Sequence, residues 1–358
     1  MLKVFKDWID RYFADEQAVL LVVLLVAGLS VVIIFGGTLA PVFASLIFAY
    51  VLQGLVAKFE KKGISHVVSV LIAFTVFVGI FLAILLIVLP MVWHQMTAFL
   101  NESPLMLKKA LDWLKLLPQQ YPELISPELV QEWLDTAAAK TAEVGPLALS
   151  FVSSSIPGIM ALIIYLVLVP ILVFFFLKDK KLLINSIVSL LPTERTLLNQ
   201  IGDEMNDQIA NYIRGKVVEI VIVGIVTYLG FVAFGLNYSA LLALLVGLSV
   251  VIPYIGAAVV TVPVALIGLF QWGTGSEFIW MMVVYGVIQA LDGNVLVPLL
   301  FSEAVNLHPV AIIVAVLFFG GLWGFWGVFF AIPLATLVKA VFNAWPRDES
   351  GVGDPESN

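Results

Sequence analysis

Residues 240–270 read A LLALLVGLSV VIPYIGAAVV TVPVALIGLF and contain no charged side chain. As one straight helix these 31 residues would be roughly 46 Å long, well beyond a hydrocarbon core of about 30 Å. Pro253 removes an amide donor and Gly256 lets the backbone change direction, so the segment is expected to break near these residues. The halves, 240–252 and 257–270, are each too short to cross a membrane. Two alternatives follow: a re-entrant hairpin or one discontinuous, tilted span.

A second broken segment occupies 309–338, where glycines interrupt an apolar run and Pro333 follows. Aligning Gly256 with Gly327 places Pro263 one residue out of register with Pro333, which makes the two segments a weak internal repeat. Paired segments interrupted by Gly and Pro indicate the central site of a transporter. The alternative is that these residues only let membrane helices pack closely. The interrupting glycines are Gly320, Gly321, Gly324 and Gly327.

The composition agrees with a membrane protein. Of 358 residues, 61% are hydrophobic and 12% are charged, against about 25% charged in a typical soluble protein. The apolar runs do not alternate in polarity as the strands of an outer-membrane barrel would. We therefore predict an all-α, polytopic helical membrane protein with about six full crossings plus two broken or re-entrant segments. The crossings are expected at 18–35, 38–57, 67–91, 154–177, 217–235 and 278–300.

Several classes of protein are excluded by what the sequence lacks. It has no cysteine and three histidines, so no metal cluster and no nucleophile-base pair is predicted. A phosphate-binding loop ending in Gly-Lys-Ser/Thr is absent, which argues against ATP as an energy source. The net charge of −7 argues against nucleic acid as a partner. We predict no enzyme activity, no cofactor and no metal, and expect the lipid bilayer and a small-molecule solute as partners.

The positions of the basic residues predict the topology. Three precede the first crossing and three follow the second, whereas the turn between them, 36–39, carries none. Continued along the chain, this pattern places 14 of the 18 Lys and Arg residues on one side, which the positive-inside rule assigns to the cytoplasm. The N- and C-termini are therefore predicted to be cytoplasmic. The remaining four basic residues lie in an acidic insert, 92–150, predicted to be periplasmic.

Six regions follow from these patterns. The insert is expected to be helical, because apolar residues recur at helical spacing over 107–117 and Ser126-Pro127-Glu128 is typical of a helix start. Its apolar faces either pack within the protein or bind other envelope proteins. The regions are N-terminal transmembrane helices (1–91), the periplasmic helical insert (92–150), a transmembrane helix (151–177), a cytoplasmic amphipathic segment (178–216), a C-terminal transmembrane core with two broken helices (217–345) and a cytoplasmic tail (346–358).

Asp292 is the main candidate for chemistry, because it lies midway along the crossing 278–300 with Gln289 one turn earlier. A carboxylate at membrane depth is costly and indicates function. Alternatively, Asp292 and Asn294 cap the second half of a helix broken at Gly293. Arg214, Lys216 and Glu219 begin the fifth crossing and are expected to mark the membrane boundary, with Arg214 also a candidate for an ion pair. His308 is expected to cap a helix, with proton coupling as the alternative.

Six motifs follow one another in the C-terminal half: Tyr212-Ile213-Arg214-Gly215, Ile252-Pro253-Tyr254-Ile255-Gly256, Leu291-Asp292-Gly293-Asn294-Val295-Leu296-Val297-Pro298, Leu307-His308-Pro309-Val310, Gly320-Gly321 to Gly327, and Ala331-Ile332-Pro333-Leu334. Taken in this order, they resemble the motifs of the autoinducer-2 exporter family, also called the PerM-like permeases. The resemblance implies a bacterial inner-membrane protein, a homo-oligomer such as a pentamer, and transport by an elevator-like movement of the broken helices.

The motifs and the breaks together define the predicted site. The substrate-binding residues are expected to be Asp292, Asn294, Pro253, Tyr254, Gly256, Gln289, His308, Gly320, Gly321, Gly324 and Gly327. Structural or coupling roles are expected for Arg214, Glu219, Pro263, Pro298 and Pro333.

Three functions remain open. The first is a secondary transporter or exporter of a small polar solute, similar to autoinducer-2, in an elevator-type movement. The second is a sodium(lithium)/proton antiporter in which Asp292 titrates. The third is a membrane scaffold that binds envelope proteins through the periplasmic insert.

Overall fold

The computed structural model describes residues 16–120, 131, 155–192, 195–301 and 307–344, and every regular element within them is helical. Within this part of the chain, six helical runs are long and apolar enough to cross a membrane, which confirms a polytopic helical membrane protein. These are not the six crossings predicted, because two of them, Ile255–Trp272 and Pro309–Phe329, belong to the broken segments.

The helices are numbered α1 to α12 along the chain. A π-helical turn, Ile84–Val88, joins α2 to α3, and another, Asp292–Leu296, joins α9 to α10. The helices are α1 Glu16–Glu60, α2 His66–Ala83, α3 Leu89–Gln120, α4 Ser155–Lys178, α5 Lys180–Val188, α6 Thr196–Phe234, α7 Ser239–Ser249, α8 Ile255–Trp272, α9 Ser276–Leu291, α10 Val297–Phe301, α11 Pro309–Phe329 and α12 Ala331–Ala344.

Helix α1 corrects the prediction of two separate crossings at 18–35 and 38–57. The chain stays helical through 36–39, where a turn was expected. In helices, glycine is unfavourable but tolerated, and neighbouring contacts routinely override its weak preference. Gly36 has such a contact, because a Cβ on it would lie 2.0 Å from the indole Nε1 of Trp323.

Although continuous, α1 bends strongly. Gln17 Oε1 accepts a hydrogen bond of 3.0 Å from Leu197 N. Farther along α1, the Tyr50 hydroxyl donates one of 3.4 Å to Asn206 Oδ1. The two contacts are roughly 50 Å apart along a straight α1 but only about 14 Å apart along α6. Both ends of α1 therefore return to the first part of α6, and the stretch between them contains Gly and Pro, where helices usually kink.

At two further places the helices run on through a predicted region boundary. The third crossing and the first helix of the insert form one helical run from His66 to Gln120. Likewise, the later part of the cytoplasmic amphipathic segment and the fifth crossing are one helix, α6, while α5 lies in the earlier part of that segment. The apolar face of the first part of α6 packs on α1 and α12, where Ile201 and Met205 meet Leu21 and Ala340. The predicted helix start at Ser126-Pro127-Glu128 lies outside the described residues.

The segment 239–272 turns back on itself as a helical hairpin, called here the first hairpin. Its two helices, α7 and α8, meet at both ends: Asn237 N donates to Gln271 Oε1 over 2.7 Å at the base. At the tip, a Cβ on Gly256 would lie 1.8 Å from Ser249 O. Of the two alternatives left by the sequence, the hairpin is therefore correct and the single discontinuous span is wrong.

The segment 309–344 forms the second hairpin; its first arm is the part of α11 before Gly324, and its second arm is the rest of α11 together with α12. A Cβ on Gly327 would lie 1.8 Å from Phe319 O, the same close approach that Gly256 makes in the first hairpin. The backbone turns at Gly324, whose φ of 58° lies in the region that favours glycine. The aligned glycines therefore occupy equivalent positions, and the weak internal repeat corresponds to two similar hairpins.

Candidate solute-binding cavity

A cavity of about 420 Å³ lies where the tip of the first hairpin, helix α6, the π-helical turn at Asp292 and the arms of the second hairpin come together. The lining is apolar for the most part but includes two carboxylates, one amine and one amide. The lining residues are Tyr212, Lys216, Glu219, Val250, Ile252, Pro253, Tyr254, Ala257, Gln289, Asp292, Gly293, Val297, Phe301, Ile312 and Ile332.

Helix α6 contributes a buried ion pair. Lys216 Nζ lies 2.6 Å from Glu219 Oε2, and the two side chains are 5% and 2% exposed. Their i, i+3 spacing places both on one face of the helix. The amine also donates to Val250 O over 3.0 Å and lies 4.9 Å from the centre of the Phe301 ring. Both residues are therefore buried beside the cavity, and the role of Glu219 at the membrane boundary stays a prediction.

Asp292 and Gln289 supply polar atoms without partners. Asp292 Oδ1 and Gln289 Nε2 are buried, and neither makes a hydrogen bond within the described residues. Buried polar groups are nearly always paired, so unpaired atoms on a cavity wall need an explanation, and a missing ligand is one. The backbone here is a π-helical turn, a feature that often accompanies functional sites.

The capping alternative for Asp292 and Asn294 is wrong, because the chain does not break at Gly293. Helical structure continues from Ser276 through the π turn to Phe301. Asn294 is exposed, does not line the cavity, and uses its amide to donate to Ala290 O over 2.8 Å.

The tip of the first hairpin places Pro253 and Tyr254 in the cavity wall as predicted. Tyr254 has a φ of 63°, a strained conformation for a bulky residue. Strain of this kind is typical of functional positions that the surrounding structure holds in place. Gly256 lies one turn farther along and does not line the cavity; its role is to let the two arms meet.

The second hairpin contributes its arms rather than its tip. Ile312 and Ile332 line the cavity, whereas the glycines predicted as binding residues lie at the tip, away from it. The tip packs against α1, where the ring of Trp323 lies 4.6 Å from that of Phe43. The glycines without a place in the cavity wall are Gly320, Gly321, Gly324 and Gly327.

The remaining predicted residues lie outside the cavity. Arg214 Nε donates to Tyr50 O over 3.2 Å, so it joins α6 to α1, and it forms no ion pair within the described residues. His308 caps α11, where its Nδ1 accepts from Val310 N over 3.2 Å. The prolines fall within helices and likewise do not line the cavity: Pro263 in α8, Pro298 in α10 and Pro333 in α12.

Two polar cavity residues, Lys216 and Tyr212, were absent from the predicted site. Lys216 looked like one more basic residue at a membrane boundary, although its spacing from Glu219 indicated a shared helix face. Tyr212 is buried, and its hydroxyl donates to Phe329 O over 2.9 Å, which ties α6 to the second hairpin. The feature of the sequence that could have identified Tyr212 as a site residue is its position at the start of the first family motif.

The fold and cavity together define a polytopic helical membrane protein with an internal, charged cavity between two helical hairpins. Comparison with known proteins agrees: residues 18–347 match the sequence model described as "AI-2E family transporter". The chain therefore belongs to the AI-2E transporter family, a family of membrane transport proteins.

Individual relatives are similar over nearly their whole length. The chain is 49% identical to "Putative permease PerM" of Escherichia coli K12 over 346 residues, 97% of this chain and 98% of the relative. It is 26% identical to "Putative transport protein YueF" of Bacillus subtilis 168 over 323 residues, 87% of this chain and 85% of that relative. The resemblance inferred from the motifs is thereby confirmed.

Proposed function

We propose that the protein is a secondary transporter or exporter that carries a small polar solute, of the autoinducer-2 type, across the bacterial inner membrane. The observation that supports this most directly is the pair of unpartnered polar atoms, Asp292 Oδ1 and Gln289 Nε2, in the wall of the 420 Å³ cavity. A solute with hydroxyl groups would donate to the carboxylate and accept from the amide. The cavity falls within the usual size range of small-molecule sites.

The charged residues in the cavity wall limit which solutes can bind there. Lys216 is matched by Glu219, and Asp292 forms no ion pair within the described residues. An anionic solute would therefore face an unbalanced carboxylate in a medium of low dielectric constant, which is unfavourable. A neutral solute rich in hydroxyl groups fits, and so does a cation. The aromatic faces of Tyr254 and Phe301 would contact the apolar side of such a solute.

The expected movement is of the elevator type, as the family resemblance implies. The part that carries the solute would consist of α6, both hairpins and the helical run from α9 through the π-helical turn to α10. Helices α1 and α4 would stay in place in the lipid. Arg214 and Tyr212 tie α6 to α1 and to the second hairpin respectively, so these contacts are expected to be remade or carried along during the movement.

The substitution Asp292→Asn tests the proposal. We expect at least a roughly ten-fold loss of solute transport, because the amide removes the charged acceptor and hydrogen bonds to charged groups contribute about 1.5–3 kcal/mol. The measurement is transport of radiolabelled autoinducer-2 in inverted membrane vesicles that contain equal amounts of each protein. The matched control is Glu277→Gln, an exposed carboxylate at the start of the same helix. Equal transport by the two variants would contradict the proposal.

The unpaired carboxylate of Asp292 also supports a second candidate, sodium(lithium)/proton antiport. The same variant in proteoliposomes with a pH-sensitive dye separates the two functions. Antiport requires that sodium-dependent proton movement occur with the unmodified protein and disappear with Asp292→Asn. Solute transport without cation-dependent proton movement would leave only the first candidate.

We also propose cytoplasmic N- and C-termini, with the first hairpin entering from and returning to the periplasm. The sequence has no cysteine, so single-cysteine variants report the side directly. We expect Thr274→Cys, in the loop after the first hairpin, to react with a membrane-impermeant maleimide added to intact spheroplasts. Lys62→Cys, in the loop between α1 and α2, is expected to react only after lysis. Protection of Thr274→Cys would contradict this topology.

A homo-oligomer, implied by the family resemblance, is part of the proposal as well. Binding of envelope proteins by the insert stays a prediction, since residues 132–154 lie outside the described part of the chain.

A further inference from the structure

A second cavity, separate from the solute cavity, lies between α1, the end of α4 and the short helix α5. It has a volume of about 210 Å³, and its walls are almost entirely apolar, with Lys180 at the edge where α5 begins. No residue is shared with the solute cavity. The lining residues are Leu46, Ala49, Tyr50, Gln53, Phe176, Lys180, Leu183, Ile184 and Ile187.

Helix α5 presents apolar side chains outward as well as into this cavity. Leu182 is 65% exposed and Ile187 is 64% exposed, and Leu190, just beyond the helix, is 85% exposed. A short helix with such a surface, placed directly after a membrane-spanning helix, is typical of an element that lies in the lipid interface. The outer side of the cavity therefore faces lipid rather than water.

The charge at this position is positive. Residues 178–188 contain three lysines and a single acidic residue, Asp179. Lys178 lies 5.8 Å from the centre of the Phe174 ring. Lys180 and Lys181 form no ion pair within the described residues. Basic residues beside an apolar cleft between membrane helices are the arrangement that recognises anionic lipid headgroups.

We propose that this cavity binds an anionic phospholipid, with an acyl chain between α1 and α5 and the phosphate at Lys180 and Lys181. Charge complementarity and the apolar lining select this occupant over a soluble ligand. Bound in this way, the lipid would hold α5 against α1. Arg195 already fixes the other end of α5, because its Nη1 donates to Val188 O over 3.1 Å.

The test compares two lipids that differ only in headgroup charge. Palmitoyl-oleoyl phosphatidylglycerol or phosphatidylcholine is added to the full chain in detergent, and the thermal unfolding midpoint is followed. We expect phosphatidylglycerol to raise the midpoint by about 3 °C more than phosphatidylcholine does, because a ligand that binds only the folded state stabilises it. Equal stabilisation by the two lipids would overturn the proposal.

Two variants at the cavity, with one control, test whether the preference for phosphatidylglycerol arises there. The double variant K180E/K181E is expected to lose the preference for phosphatidylglycerol. The control K108E/K109E, which makes the same charge change in the exposed part of α3, is expected to keep it. Ile184→Trp, which fills the cavity, is expected to abolish the preference while leaving the lipid-free midpoint unchanged.

Two results with these variants would overturn the proposal. One is a phosphatidylglycerol preference that survives both K180E/K181E and Ile184→Trp. The other is that Ile184→Trp changes the oligomeric state, measured by light scattering, without changing the lipid preference; the cavity would then be occupied by a second copy of the chain.

Discussion

Gly256→Ala and Gly327→Ala are each expected to destabilise the protein more than alanine at any other glycine of the two hairpins. In each case the new Cβ would lie 1.8 Å from a backbone carbonyl oxygen of the opposite arm, Ser249 O or Phe319 O. A side chain can rotate away from an added methyl group, but a carbonyl at the end of a helix cannot. We expect a loss at the upper end of, or beyond, the roughly 1–3 kcal/mol typical of overpacking.

The measurement is the free energy of unfolding in mixed micelles, together with transport in vesicles. Gly286→Ala is the matched control, because it lies in helix α9 and a Cβ there meets nothing within 4 Å. This control is expected to be neutral or slightly stabilising, since alanine favours helix over glycine by about 0.5–1 kcal/mol. If all three variants have the same stability, the hairpin tips are not as closely packed as described.

Lys216→Met is expected to have the second large effect. The substitution removes the one amine that the described residues place in the wall of the solute cavity, and it leaves Glu219 buried without its cation. Removing one partner of a buried ion pair typically costs about 3–5 kcal/mol, because the remaining charge cannot be solvated. We therefore expect a loss of this size in the free energy of unfolding, along with loss of transport.

The double variant Lys216→Met, Glu219→Gln separates charge from packing. It removes both charges, so most of the lost stability is expected to return while transport stays low. Lys58→Met, at an exposed position near the end of α1, is the control and is expected to change stability by less than about 0.5 kcal/mol. If the double variant is no more stable than Lys216→Met alone, the loss arises from packing and not from the unpaired carboxylate.

The sequence predicted the breaks at Pro253 and at Gly324 because proline and glycine act locally, through a missing donor and an accessible φ. Asp292 and Gln289 were likewise recognisable, since a carboxylate at membrane depth stands out against an apolar background. In both cases the property that made the prediction possible belongs to the residue itself and does not depend on its neighbours in the fold.

What could not be predicted depends on contacts distant in the sequence. Whether the chain turns or stays helical at Gly36 depends on Trp323, which fills the space beside it. Whether Lys216 lies at the membrane surface or inside depends on Val250 O and the ring of Phe301, which surround the amine. Periodicity also cannot separate one long helix from two successive ones, so the sequence did not show that helices continue through residues 91 and 216.

The bend in α1 has a consequence for how the protein is made. Gln17 contacts Leu197, which lies 180 residues later in the chain. Ribosomes add roughly 5–20 residues per second, so α1 waits roughly 9–36 s for this contact and longer still for Trp323. During that interval α2 and α4 can pack on the second half of α1, but the first part, around Leu21, still lacks its contacts with α6 and α12. Chains that terminate before residue 197 therefore leave the first part of α1 without these partners, and we expect membrane proteases to remove them faster than the complete chain.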